Sequence, residues 1–115
     1  MKQRFAFIGY ALNGIVVFLR HCSNMRWHFS AAALAIVGGS ILGISRNEWV
    51  AIVLVIALVV VAEMINEAIE SLCNHLHPEH HAAIGKVKDI AAGAVLIAAF
   101  TALTVGAIVF LPYLK

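Results

Sequence analysis

Long apolar runs separated by short polar breaks dominate this sequence. Three runs, at residues 29–45, 48–73 and 87–111, have the length of about 17 residues or more that a helix needs to cross the hydrocarbon of a bilayer. Polar connections near residues 45–48 and at residues 74–86 separate these runs. The pattern therefore predicts an all-α membrane protein with three transmembrane helices.

Residues 1–28 form a fourth segment of a different kind. The apolar run within it, residues 5–19, keeps helical spacing but is too short to span a bilayer, and Asn13 interrupts it. A helix that lies on the membrane surface fits this pattern best, and the polar stretch 21–28 then forms an elbow into the first span. We therefore expect an N-terminal amphipathic surface helix.

Single residues mark the ends of the predicted spans. Asn47 is expected to cap the second span, Trp49 to anchor it at the interface and Pro78 to end it. The loop after this span is rich in histidine over residues 75–81, but the spacing of the histidines matches no zinc-binding pattern. Metal binding by this loop is therefore only weakly indicated.

The composition agrees with a single membrane domain over residues 1–115. Of these residues 63% are hydrophobic and 12% are charged, and the net charge of +2 leaves no large basic surface for nucleic acid. Of the 8 Lys and Arg residues, all except Arg46 and Lys115 precede the first span, lie in the loop after the second span, or, like Lys88, lie at the start of the third span. The positive-inside rule then places the N-terminus and the 74–86 loop in the cytoplasm.

The end of the second span carries a stripe of polar side chains. At helical spacing all of its members project from one face; they are Glu63, Asn66, Glu67, Glu70 and Asn74. An ionisable side chain at bilayer depth is costly, and apolar residues flank Glu63 on both sides, so we expect a functional role for it. For Glu67 and Asn74, the plainer explanation that they mark the aqueous end of the helix carries equal weight.

The side chains at the predicted cytoplasmic end suit phosphoryl transfer to a lipid. Carboxylates and amides are the oxygen ligands that Mg²⁺ prefers, and Lys88 and Arg26 can contact phosphate. Glu63 lies deeper and can accept a proton from a lipid hydroxyl. An ion transporter or an oligomeric channel would also need intramembrane carboxylates, but it would place them near mid-bilayer on more than one span, which this sequence does not do.

Several motifs resemble those of one known family. In chain order they are Asn24-x-Arg26-x-His28, Glu63-x-x-Asn66-x-Ala68-Ile69-Glu70 and Lys88-Asp89-Ile90-Ala91-Ala92-Gly93-Ala94-Val95. Together they are similar to the bacterial integral-membrane diacylglycerol kinase and undecaprenol kinase family, over nearly the whole chain. The resemblance implies a homotrimer in the bacterial plasma membrane, with active sites between neighbouring subunits. The first motif resembles the undecaprenol kinase branch more.

The resemblance also implies a reaction and a role for each site residue. The implied reaction transfers the γ-phosphate of ATP, with Mg²⁺, to the hydroxyl of undecaprenol or diacylglycerol. Glu63 matches the catalytic base, and Asn66 matches an active-site amide beside the lipid and the nucleotide. Glu70 matches a carboxylate that binds Mg²⁺ carried by ATP, and Lys88 and Asp89 match a pair that engages the nucleotide phosphates.

The sequence departs from the family pattern at three positions. Cys22 stands where the family usually has a second metal-binding glutamate, and a thiolate is a poor ligand for Mg²⁺. Glu67 replaces the usual Ser or Thr, and Asn74 replaces an Asp. We expect Glu67, or Glu79 in the loop, to supply the missing metal ligand. The alternative is a catalytically weak or inactive homologue that binds nucleotide or lipid.

Overall fold

Helices account for nearly all of the described chain. The computed structural model describes residues 2–22 and 25–115, with Lys2 described through its backbone alone. Three helical segments are long and apolar enough to cross a membrane, which confirms the all-α class and three candidate spans. The elements are α1 (Lys2–His21), α2 (Met25–Leu42), α3 (Arg46–Leu76), α4 (Ala82–Phe110) and a final 3₁₀ turn (Leu111–Leu114).

Many large apolar side chains on the helices have no protein cover. On α4, the exposed fractions of Leu96, Ile97, Phe100 and Leu103 lie between 58% and 71%. Monomeric soluble proteins rarely expose contiguous apolar patches of more than a few hundred Å². A surface of this kind is stable against lipid or another apolar helix, and the chain is therefore a membrane protein.

A tight turn joins α2 to α3. Gly43 has a φ of 64°, and its N–H donates to the carbonyl of Gly39 over 2.9 Å, so a left-handed glycine ends α2. Ser45 then caps α3, because its hydroxyl accepts the N–H of Glu48 while the Glu48 carboxylate accepts the N–H of Ser45. The predicted cap at Asn47 is therefore wrong, since the Ser-x-x-Glu pattern forms a capping box two residues earlier.

The hydrophobic core lies beside this turn. Its buried centre consists of Ile44, Ile52 and Val109, which come from the turn, from α3 and from the end of α4. The hydroxyl of Tyr113 donates to Oε1 of Glu48 over 2.5 Å and ties the 3₁₀ turn to the start of α3. These contacts hold three helix ends together at the end of the protein opposite to the polar stripe.

The helices α3 and α4 pack against each other along their lengths and are joined by residues 77–81. Nδ1 of His81 accepts the N–H of Ala83 over 3.2 Å and caps the start of α4. The irregular connection is shorter than the predicted 74–86 segment, because the polar residues at both of its ends are helical.

The helix α1 packs little against the other helices, and most of its side chains are exposed. Its position on the membrane surface stays a prediction. The helix α2 begins at Met25, so Arg26 and His28 lie in the first turn of α2 and not in a separate elbow. Asn24, the first residue of the motif that contains them, lies outside the described residues.

Candidate functional site

The polar stripe on α3 runs from a buried carboxylate to exposed side chains. Glu63 is 6% exposed, whereas Asn66 and Glu67 are partly buried. Glu70 and Asn74, closer to the end of the helix, are exposed. The stripe therefore leads from the protein interior at Glu63 to water at the end of α3.

The position of Glu63 along α3 agrees with a carboxylate within the hydrocarbon. A helix rises 1.5 Å per residue, so Glu63 lies about 21 Å along the axis from Trp49, which was predicted to lie at the interface, and Glu70 lies about 10 Å farther. A hydrocarbon core about 30 Å thick that begins at Trp49 encloses Glu63 and ends close to Glu70. Glu63 can thus meet a group within the lipid, and Glu70 can meet a group in water.

A side chain from the neighbouring helix is hydrogen-bonded to Glu63. Nε2 of His28 lies 2.7 Å from Oε1 of Glu63, and the two side chains are 25% and 8% exposed. An ionised carboxylate can only accept hydrogen bonds, so beside an ionised Glu63 the proton of His28 lies on Nε2. The pair links α2 to α3 at the level of the buried carboxylate.

Asn66 offers an unused acceptor one turn farther along α3. Its Oδ1 is buried and accepts no hydrogen bond from the residues that the structure describes. Buried polar atoms in folded proteins are nearly always paired, so this oxygen is available to a donor outside the described chain. A hydroxyl group of a bound molecule or a side chain of a second subunit can fill that role.

Two further carboxylates of the stripe are accessible to an ion. The hydroxyl of Ser71 donates to Oε1 of Glu67 over 3.4 Å, and Glu70 is exposed on the next turn. Within residues 2–22 and 25–115, no three His, Cys, Asp or Glu side chains are grouped so that they could hold a metal, in the histidine-rich loop or elsewhere. Mg²⁺ often takes only one or two protein carboxylates and completes its shell with water and phosphate. Glu67 and Glu70 therefore fit an ion that arrives with a nucleotide.

Cationic groups lie on the two helices beside α3. Nζ of Lys88 donates to Oδ1 of Asn74 over 2.6 Å, which ties the beginning of α4 to the exposed end of the stripe. Asp89 follows it and is exposed. Arg26 is exposed on α2, two residues before the histidine that contacts Glu63. An anionic ligand at the end of α3 would find Lys88 already oriented.

Comparison with known proteins decides the family. The family model described as prokaryotic diacylglycerol kinase matches residues 9–110, a range that contains every residue of the site described above. The chain belongs to this family. An undecaprenol kinase of Bacillus subtilis (strain 168) is 34% identical over 91 residues, which cover 79% of this chain and 74% of that relative.

Two relatives named diacylglycerol kinase are similar to a comparable degree. The protein from Synechocystis sp. (strain ATCC 27184 / PCC 6803 / Kazusa) is 32% identical over 104 residues, or 90% of this chain and 59% of the relative. The protein from Escherichia coli (strain K12) is 30% identical over 94 residues, or 82% of this chain and 77% of the relative. The resemblance to this kinase family is thus confirmed.

In this member of the prokaryotic diacylglycerol kinase family, the structure adds two contacts to the predicted site. They are the His28–Glu63 and Lys88–Asn74 hydrogen bonds, which the sequence did not predict. For the His28–Glu63 bond, the sequence offered one indication: His28 belongs to a motif that is predicted to lie on the same side of the membrane as Glu63. Among the described residues, no hydrogen bond or ion pair joins Glu63 to Lys88.

Proposed function

We propose that this chain is an ATP-dependent lipid kinase that transfers the γ-phosphate of ATP to the hydroxyl of undecaprenol or diacylglycerol. The observation that carries the proposal is the buried carboxylate of Glu63 within an apolar membrane-spanning helix. A base within an apolar span suits a substrate that is itself a lipid, because a lipid hydroxyl can reach the carboxylate from within the membrane. Membership of a family that includes proteins named diacylglycerol kinase and undecaprenol kinase supports the same reaction.

In the proposed reaction, Glu63 is the general base. Its Oε1 is engaged by His28, which leaves Oε2 to take the proton of the lipid hydroxyl. As that O–H bond breaks, the lipid oxygen forms a bond to the γ-phosphorus. The bond from this phosphorus to the β,γ-bridging oxygen breaks, and ADP leaves. Asn66, whose buried Oδ1 accepts no hydrogen bond from the described residues, orients the polar end of the lipid beside the base.

The remaining site residues are assigned to the nucleotide. Lys88 and Arg26 bind its phosphates as cations. Asp89, next to Lys88, is proposed to belong to the same nucleotide-binding group. Glu70 and Glu67 are proposed to hold Mg²⁺, because their oxygens match its preference and need only water and phosphate to complete the shell. When bound, Mg²⁺ neutralises part of the charge on the transferring phosphoryl group.

The proposed assembly is a homotrimer in the bacterial plasma membrane, with shared active sites and a cytoplasmic N-terminus. The exposed apolar side chains of α4 support a neighbouring subunit. The small contact of α1 with the other helices supports a position on the membrane surface. The excess of Lys and Arg before α2 and around Lys88 supports the orientation.

A catalytically weak homologue that binds nucleotide or lipid is the second candidate function. The observation that favours it is Cys22 in place of a metal-binding glutamate. We propose that Glu67 compensates for this change. Replacing Glu67 with threonine is then expected to raise the Mg²⁺ concentration needed for half-maximal activity, and an unchanged Mg²⁺ dependence would argue against this role.

Lipid phosphorylation in mixed micelles tests the proposed function. The purified chain is offered ATP and Mg²⁺ with diacylglycerol or with undecaprenol in parallel, and omission of ATP or of Mg²⁺ provides the controls. A phosphorylated product from either lipid identifies the substrate. If the folded protein phosphorylates neither lipid, the proposed kinase activity is refuted and a binding role remains.

A further inference from the structure

The hydrogen bond between His28 and Glu63 joins α2 to α3 at the proposed catalytic base, and no role has yet been given to His28. Residues 35 positions apart in the chain come within 2.7 Å, through Nε2 of the imidazole and Oε1 of the carboxylate. This bond lies at the opposite end of α2 from the tight turn that joins α2 to α3. The bond therefore sets how α2 and α3 face each other beside the buried carboxylate.

The physical chemistry of a buried carboxylate gives this contact two consequences. A charged side chain at this depth needs a partner, and a donor N–H on an ionised carboxylate supplies one with a short hydrogen bond. The bond also turns Oε1 toward His28, and Oε2 then accepts no hydrogen bond from the described residues, which makes it the oxygen that can take a substrate proton. A carboxylate without this bond could rotate, and its oxygens would no longer have a fixed direction.

We propose that His28 is a positioning residue for the base Glu63, and that it acts by donating a hydrogen bond from Nε2 to Oε1. The inference rests on the proposed kinase function. His28 need not touch lipid or nucleotide, because it aims Oε2 of Glu63 at the lipid hydroxyl. Loss of the bond then slows phosphoryl transfer and leaves nucleotide binding intact.

Two substitutions with the same amide group isolate this bond. In His28→Gln the side-chain N–H₂ can reach the position of Nε2, whereas in His28→Asn it falls short by one carbon–carbon bond, about 1.5 Å. Both variants place the same polar group at the start of α2, so differences in folding and desolvation are small. The matched controls are His80→Gln and His80→Asn, in the exposed loop.

The experiment measures kcat and the KM for MgATP with the lipid that the wild-type chain phosphorylates. His28→Asn is expected to lower kcat about 10-fold to 100-fold with KM for MgATP within twofold, since small misplacements of catalytic groups have effects of this size. His28→Gln is expected to stay within about threefold of the wild-type kcat. Both His80 variants should match the wild type.

Equal kcat values for folded His28→Asn and His28→Gln would overturn the inference, as would a change in KM for MgATP alone. If His28→Asn does not fold, the inference is tested by His28→Gln, and a kcat more than about 10-fold below wild type overturns it. Lack of product from the wild-type chain would overturn the proposed function, and this inference with it. Wild-type activity that survives in His28→Asn would overturn the inference alone.

Discussion

Replacing Gly39 with alanine is expected to destabilise the turn that holds α2 against α3. A Cβ atom at this position would lie 2.9 Å from Cδ1 of Ile44 and 2.9 Å from the outer ring carbon Cη2 of Trp49. Carbon atoms in favourable contact are about 3.5–4.0 Å apart, so the added methyl group overlaps both side chains by more than about half an ångström. Ile44 belongs to the buried core and has little room to move.

The neighbouring glycine provides the matched control. A Cβ atom at Gly38 would lie 3.8 Å from its nearest neighbour, Cε1 of Phe110, which is an ordinary contact. Both positions lie inside α2, where alanine is favoured over glycine by about 1 kcal/mol, so this gain cancels when the two variants are compared. The remaining difference is the cost of overpacking at Gly39, about 1–3 kcal/mol.

The assay is the free energy of unfolding of each variant in mixed micelles, measured by titration with a denaturing detergent and followed by circular dichroism. Gly38→Ala should be as stable as the wild type or more stable. Gly39→Ala should be less stable than Gly38→Ala by about 1–3 kcal/mol. If Gly39→Ala is equally stable, the close packing of Trp49 on α2 is refuted.

Three further substitutions test other contacts. Gly43→Ala is expected to lower the free energy of unfolding by about 1 kcal/mol, measured by the same titration, because a φ of 64° is strained for alanine. Asn74→Ala removes the acceptor that orients Lys88, so KM for MgATP should rise several-fold with little change in kcat. An unchanged KM would show that the Lys88–Asn74 hydrogen bond has no role in nucleotide binding. Tyr113→Phe removes the hydrogen bond to Glu48 at the far end of the helices, so the Tm should fall by a few degrees while kcat stays unchanged.

The sequence predicted the features that depend on local periodicity. Apolar runs of sufficient length predicted three membrane-spanning helices, and helical spacing predicted that one face of α3 carries Glu63, Asn66 and Glu70. The structure has the three candidate spans, and burial decreases along that face toward the helix end. Spacing along one helix is enough for such predictions because helix geometry is the same in every protein.

The contacts between helices could not be predicted from the sequence. The partner of Glu63 depends on how α2 and α3 are rotated against each other, and hydropathy does not determine that rotation, since lipid and a neighbouring helix are both apolar. The Lys88–Asn74 bond has the same origin. The cap of α3 differs from these contacts, because it depends on local sequence alone: the pattern Ser45-x-x-Glu48 is typical of a capping box, which forms two residues before the predicted cap at Asn47.

The assignment of Glu63 as the catalytic base is tested most directly by the Glu63→Gln variant, with Glu70→Gln as the contrasting variant. The assay measures transfer of radiolabelled phosphate from ATP to lipid. Both changes replace a carboxylate by an amide of the same shape on α3. Glu63→Gln should lose at least about 100-fold in kcat while it still binds MgATP, because the base is removed. Glu70→Gln should instead raise KM for MgATP. Transfer by Glu63→Gln at the wild-type rate would contradict the assignment of this buried carboxylate as the base.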